Sequence, residues 1–329
     1  MTFTFAPGLF RIVLALLVCV SHLTRLEVGQ TAVFIFFMLS GYWSVRMYHE
    51  KYLRLPNPRV TFWIARFLRI WILYVICQIG AVLVFWVVLG SYSVSYWLGT
   101  PLLGLASHGR DILGVSWSLD LEVQFYLLVP LCAVWIAGWA KGAKVLLLGV
   151  LAAGLTILGW ILIAQFGLVL IPAFVLPFLA GALIYERDWQ VTSKGAIASL
   201  VAFFALAVAV IVYPGTYGLL DKTAQAPFDP RWFGLGWALL LVPFVAFNVR
   251  QTSTRFDRHI GNLSYSIYLV HFPFYKLMTT LLDGPSMLEK AAMLLATIPL
   301  ALIPYLLIDQ VIERHREAWS RRVADRLAG

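Results

Sequence analysis

Charge is what this sequence has least of. Asp, Glu, Lys and Arg make up 12% of the 329 residues, while 61% are hydrophobic, and the mean hydropathy is +0.84. A soluble domain carries about 25% charged and about 45–50% apolar residues. So much apolar surface cannot be hidden in one soluble core, which excludes a secreted enzyme, a disordered chain and a nucleic-acid-binding domain. Cysteine is scarce too. Cys19, Cys77 and Cys132 lie in apolar runs at no metal-ligand or disulfide spacing, so no metal site and no disulfide framework is expected. The N-terminus lacks the basic region and small-residue cleavage site of a signal peptide, and its apolar run reads as a retained first helix. Strand-period alternation of the outer-membrane barrel type is missing, as is any internal repeat. What remains is an all-α, polytopic membrane helix bundle.

Apolar runs of about 17–25 residues mark spans. They predict ten, near 7–24, 31–48, 67–90, 118–138, 144–164, 168–185, 195–213, 233–248, 260–282 and 291–311. Only Gln165-Phe166-Gly167 parts the fifth from the sixth, which leaves open two full spans or a re-entrant pair. With a cytoplasmic N-terminus and ten crossings, Arg25, Arg110, Lys222, Arg231, Lys276 and Lys290 fall outside, and the other 19 of the 25 basic residues fall inside. That asymmetry obeys the positive-inside rule, predicts both termini in the cytoplasm and makes the +9 formal charge topological. The longest outer loops are 91–117 and 214–232. Their Tyr96, Trp97, Tyr217 and Trp232 suit either sugar stacking or an interfacial belt. The chain 1–329 reads as one domain, with a short basic tail, 313–329, on the cytoplasmic surface. The basic segment His49–Arg69 carries Pro56 and Pro58. It is either a topology determinant or a grip for an anionic substrate.

Ionisable groups inside a bilayer are costly and therefore candidates for function. Arg11 and His22 lie in the first span, eleven positions apart, on one helical face and about 16.5 Å apart along the axis. In the fourth span, Ser118, Glu122 and Tyr126 share a face at i, i+4 spacing, while Asp120 is turned about 200° from Glu122. Counting from the outer side places Glu122 at the depth of His22, where a carboxylate would fix the imidazole tautomer. In the ninth span, Ser264, Tyr268 and His271 share a side. They serve as interhelical glue or line the same cavity. In the second, Phe36-Phe37-Met38-Leu39-Ser40-Gly41-Tyr42 is a small-residue break in an aromatic run.

Taken together, four segments resemble the acyltransferase-3 family of membrane acyltransferases, which are largely bacterial. They are the Arg11/His22 pair, Phe36 to Tyr42, Trp117-Ser118-Leu119-Asp120-Leu121-Glu122-Val123-Gln124-Phe125-Tyr126, and Leu263-Ser264-Tyr265-Ser266-Ile267-Tyr268-Leu269-Val270-His271-Phe272-Pro273. The likeness spans nearly the whole chain and lacks the esterase-like domain that some members carry. It implies transfer of an acyl group, usually acetyl, from cytoplasmic acyl-CoA to a hydroxyl of a glycan or other acceptor. No permanently bound cofactor is implied. His22, Arg11 and Glu122 become the catalytic candidates. Arg11, Arg66 and Arg69 become the phosphate grip for acyl-CoA, since a guanidinium fork binds phosphate bidentately. Ser40, Trp117, Ser118, Tyr126, Ser264, Tyr268 and His271 become the cavity lining. His22 would act as general base on the acceptor hydroxyl, or an acyl group would pass through His22, Ser40, Ser118 or Ser264. The family reading places the chain in the bacterial inner membrane, with an exopolysaccharide or its lipid-linked precursor as acceptor and polysaccharide-building machinery as a partner. A proton-coupled transporter is the rival, because intramembrane His, Glu and Arg also make proton relays.

Overall fold

A computed structural model describes residues 4–90 and 112–328. The expected outer loop 91–117, with Tyr96, Trp97 and Arg110, lies mostly outside the described residues. Among those described, the regular elements are helices, and one isolated antiparallel bridge joins Leu26 to Asp221. In chain order they are α1 (Pro7–Leu23), α2 (Gly29–Glu50), α3 (Pro58–Leu89), α4 (Ser116–Trp139), α5 (Lys144–Phe166), α6 (Val175–Glu186), α7 (Ser193–Val212), α8 (Pro230–Leu239), α9 (Val242–Asn248), α10 (Arg255–Leu282), α11 (Met287–Pro304) and α12 (Gln310–Ala328). A 3-10 turn, Ile171–Phe174, leads into α6, and a π turn, Tyr305–Asp309, joins α11 to α12.

Local chemistry sets these boundaries. Pro7, Pro58 and Pro230 open α1, α3 and α8, where a missing N–H costs nothing. Thr254 caps α10, and Ser286 with Glu289 forms a reciprocal capping box at α11. Because Pro58 starts α3 well before the expected span 67–90, Arg59 and Arg66 ride on the same helix as Arg69 rather than in a loop before it.

By length and apolarity, five helices can cross a membrane: α3, α4, α5, α7 and the run Met287–His315. Six result if α8 and α9, bent by 47° at their break, count as one. The expected count of ten is not what this criterion gives. α1 and Ile171–Glu186 are apolar but shorter. α2 and α10 are long, but they carry the polar residues that face the protein interior. The outward surface is apolar nonetheless: Leu146, Val150, Val201, Val208 and Leu295 are each more than half exposed. An exposed apolar surface of this extent suits lipid rather than water, and the chain is a multi-pass membrane protein.

The core is built around α2, which meets α6, α1, α8 and α4. Its tightest contact uses two glycines. A Cβ at Gly41 would lie 2.1 Å from the Phe178 carbonyl oxygen, and one at Gly181 would lie 1.9 Å from that of Met38. Small residues allow this approach where lipid offers no hydrophobic drive between helices. Phe178 stacks on both Phe37 and Phe125, with centroids at 4.5 and 4.3 Å. α1 and α10 are equally close at Gly8 and Gly261.

Candidate active site

α1 is aimed by a carboxylate on another helix. Asp257, buried near the start of α10, accepts the backbone N–H groups of Gly8 at 3.0 Å and Leu9 at 2.9 Å, and the Ser253 hydroxyl at 2.6 Å. It thus satisfies donors that a helix N-terminus leaves open. One turn on, the Arg11 guanidinium passes over Gly261, where a Cβ would come within 3.8 Å of Nη1. Arg11 has no hydrogen-bond or ion-pair partner among the described residues.

It lines a cavity of about 410 Å³ bounded by α1, α2, α3, α4, α10 and α12. Five basic side chains, Arg11, Lys51, Arg66, Arg69 and Arg258, face two carboxylates, Glu122 and Glu313. Arg66 is 6% exposed, its Nε is buried without a partner, and its Cζ lies 5.6 Å from the ring centroids of Phe62 and Tyr126. Glu122 accepts from the Ser40 hydroxyl at 2.7 Å and from the Tyr126 hydroxyl. Deeper along the wall, Ser118 Oγ and Tyr268 OH lie 2.7 Å apart and both reach the Val115 carbonyl. Ser264 lines the cavity too, but its hydroxyl is spent on the Gly261 carbonyl at 2.6 Å.

The structure separates two residues that the sequence pairs. Glu122 makes no hydrogen bond to His22. Its field falls on Arg11 and Arg69 instead. The depth count fails because α4 does not begin at the surface: Ile112, Leu113, Val115 and Ser116 are buried. Glu122, six residues into that helix, is therefore about 9 Å deeper than its starting point.

His22 lies outside the cavity lining, in the last turn of α1. Its ring is 5.2 Å from that of His271 and 5.0 Å, edge-on, from Phe272. His271 is fully buried and is not part of the cavity lining either. Its Nδ1 is 3.2 Å from the Ile267 carbonyl, which makes Nδ1 the protonated nitrogen and leaves Nε2, buried and without a partner, as an acceptor. The His271 ring touches that of Tyr268 at 5.8 Å. A chain of side-chain contacts, not an open channel, thus joins the cavity wall at Ser118 and Tyr268 to the two histidines. Trp117 also lies off the cavity, packed on Phe37 and Phe174.

The segment 220–222 is fastened beside His22. Lys222 N donates to the Arg25 carbonyl and Glu27 N to that of Leu220, both at 2.8 Å, and Lys222 Nζ donates to the Ser21 carbonyl. Desolvation holds the Lys222 ammonium below its usual pKa, and Glu27 pulls the other way. Sequence reasoning missed Lys222, Asp257 and Glu313. Only Asp257 left a signal, as an acid in the first turn after the Thr254 cap.

The acyltransferase-3 family model, described as an acyltransferase domain, matches residues 6–306. The peptidoglycan O-acetyltransferase OatA of Listeria monocytogenes serovar 1/2a is 25% identical over 342 residues, covering 87% of this chain. The chain spans about half of that relative, 52% of its length. No solved structure matches. The matched span takes in Arg11, His22, Ser40, Arg66, Glu122, Ser264 and His271, and the chain belongs to the acyltransferase-3 family.

Proposed function

We propose that the chain is a membrane O-acyltransferase that moves an acetyl group from cytoplasmic acetyl-CoA to a glycan hydroxyl at the opposite face of the bacterial inner membrane. The observation that carries this reading is the pair of guanidiniums, Arg11 and Arg66, which line a basic cavity open at one side, with no carboxylate bonded to them among the described residues. A buried cation that no carboxylate bonds directly is costly, and a phosphorylated ligand relieves it through charge-assisted hydrogen bonds. The distant relative's acceptor is a glycan. Here an exopolysaccharide or its lipid-linked precursor is the acceptor we favour, with polysaccharide-building machinery as the natural partner.

In this reading, the phosphates rest among Arg11, Arg66 and Arg69, and the slender thiol arm runs past Ser118 and Tyr268 toward His22. His22 removes the proton from the acceptor hydroxyl as its oxygen attacks the thioester carbon. The carbon–sulfur bond then breaks, and the proton passes to the departing thiolate. His271, whose Nε2 is open, takes the place beside His22 that sequence reasoning gave to Glu122. Glu122 balances the cation cluster.

The test is release of labelled acetate or acetylated acceptor from acetyl-CoA by purified protein in lipid nanodiscs. Loss by about 10²-fold or more in His22→Ala, the scale of a general base, supports the reading. So does a raised donor KM in Arg11→Ala. A folded protein that neither binds nor turns over acetyl-CoA, yet carries solute flux when reconstituted in sealed proteoliposomes, would establish the transporter instead.

A further inference from the structure

One carboxylate in the basic cavity comes from beyond the family-matched span. Glu313 stands on the first turn of α12, seven residues past position 306, and lines the same cavity as Arg66 and Arg69. It is held there by a built element. The π turn Tyr305–Asp309 carries the chain from α11 straight into α12, and α12 packs along α3, the helix that bears both arginines. Ile312 and Ser320 on α12 are buried, and His259 Nδ1 meets the Tyr305 hydroxyl at 2.5 Å. Among the charges acting on Arg69, Glu313 is the strongest.

We propose that Glu313 is a counter-ion of the donor site that yields Arg69 to a phosphate when the donor enters, and so makes the site selective for ligands with several phosphates. This rests on the acyl-CoA reading above. A cavity with five cations attracts any small anion. With Glu313 in place, a monoanion gains one contact on Arg69 at the loss of another, so its net gain is small. A ligand with several phosphates still gains Arg66 and Arg11. The product CoA keeps every phosphate of the donor, so a competing carboxylate also hastens its release. Glu313 is exposed at the mouth, which keeps it close enough to compete and hydrated enough to withdraw.

The probe is adenosine 3′,5′-bisphosphate, titrated into the full-length protein in nanodiscs beside CoA and inorganic phosphate. Glu313→Gln should bind the bisphosphate about 1.5- to 5-fold more tightly, the scale of one exposed ion pair. Inorganic phosphate should gain by more, so that discrimination between the two falls. Glu313→Lys should exceed Glu313→Gln. The gain should shrink in high salt, since the group is exposed. Glu50→Gln, an exposed acid paired with Arg46 off the cavity, should change nothing. Binding by wild type with no tightening in either variant, or with weakening, overturns this proposal alone. No binding by any form overturns the donor reading and this proposal with it.

Discussion

Arg66 is the residue whose replacement separates binding from folding most cleanly. It is buried, lies against two aromatic rings and has an unpartnered Nε. A residue kept for stability would not be left so. Arg66→Met should therefore raise the donor KM by about 10- to 100-fold, the loss of one charge-assisted hydrogen bond at about 1.5–3 kcal/mol. It should leave the thermal midpoint of the unliganded protein unchanged or higher, because an uncompensated buried charge is gone. Steady-state kinetics beside a melting curve reads both. A lower midpoint would mean that Arg66 is structural. Glu122 admits an equally direct test. Its neighbours predict that Glu122→Gln and Arg11→Gln are coupled in CoA affinity by about 1 kcal/mol, whereas Glu122→Gln and His22→Ala are additive. Coupling to His22 alone would restore the sequence-based pairing. Arg11, His22, Ser40 and Glu122 were legible from sequence because polar groups in apolar runs are conspicuous. Which of them meet was not, because that depends on how deep α4 starts, and the burial of Ile112, Leu113, Val115 and Ser116 is a tertiary fact.

At the scale of elements, two contacts place the site, and both put a glycine or a cap where a larger change must act at a distance. Gly181→Ala would drive a Cβ into the Met38 carbonyl and push α6 off α2, two residues from Ser40. We expect a loss of at least about 2 kcal/mol, as for an overpacked core, together with reduced turnover. Unfolding in detergent beside activity would show it, and wild-type values in both would mean that the helices part freely. Asp257→Ala would leave the Gly8 and Leu9 N–H groups and the Ser253 hydroxyl without their acceptor, at about 1–2 kcal/mol for a lost helix cap. It should also raise the donor KM by freeing the turn that carries Arg11. Asp257→Asn, which keeps an acceptor, should recover part of both, and equal loss in the two variants would argue against capping. The helices themselves were largely readable from apolar runs and from Pro and cap residues. The missed features are contacts between helices: an acid in a first turn signals its own cap, not that it also caps a second helix 248 residues away.

The molecule as a whole gathers its connecting segments at two ends. At one, Arg187 reaches the Ala140 carbonyl at 3.1 Å, Arg250 pairs with Asp188 at 2.6 Å, His49 with Glu186 at 3.1 Å, and Asn248 with the Phe5 carbonyl at 2.7 Å. At the other, the Leu26–Asp221 bridge holds the loop that bears Lys222, and the Arg231 guanidinium covers Trp160 at 4.7 Å. The segments at the first end are those the charge asymmetry assigns to the cytoplasm, and those at the second are those it assigns outside. α1 links the two: its 17 residues extend about 25 Å, close to the roughly 30 Å of a hydrocarbon core, with Arg11 near one end and His22 near the other. Transfer across the membrane needs that span. Single cysteines in a background free of Cys19, Cys77 and Cys132 can test it with a membrane-impermeant maleimide. In intact spheroplasts, Gln225→Cys should react and Arg54→Cys and Arg321→Cys should not, with the pattern reversed in inverted vesicles. Reaction of all three from one side would place donor and acceptor ends on the same face, and acyl transfer at this site would then not cross the bilayer.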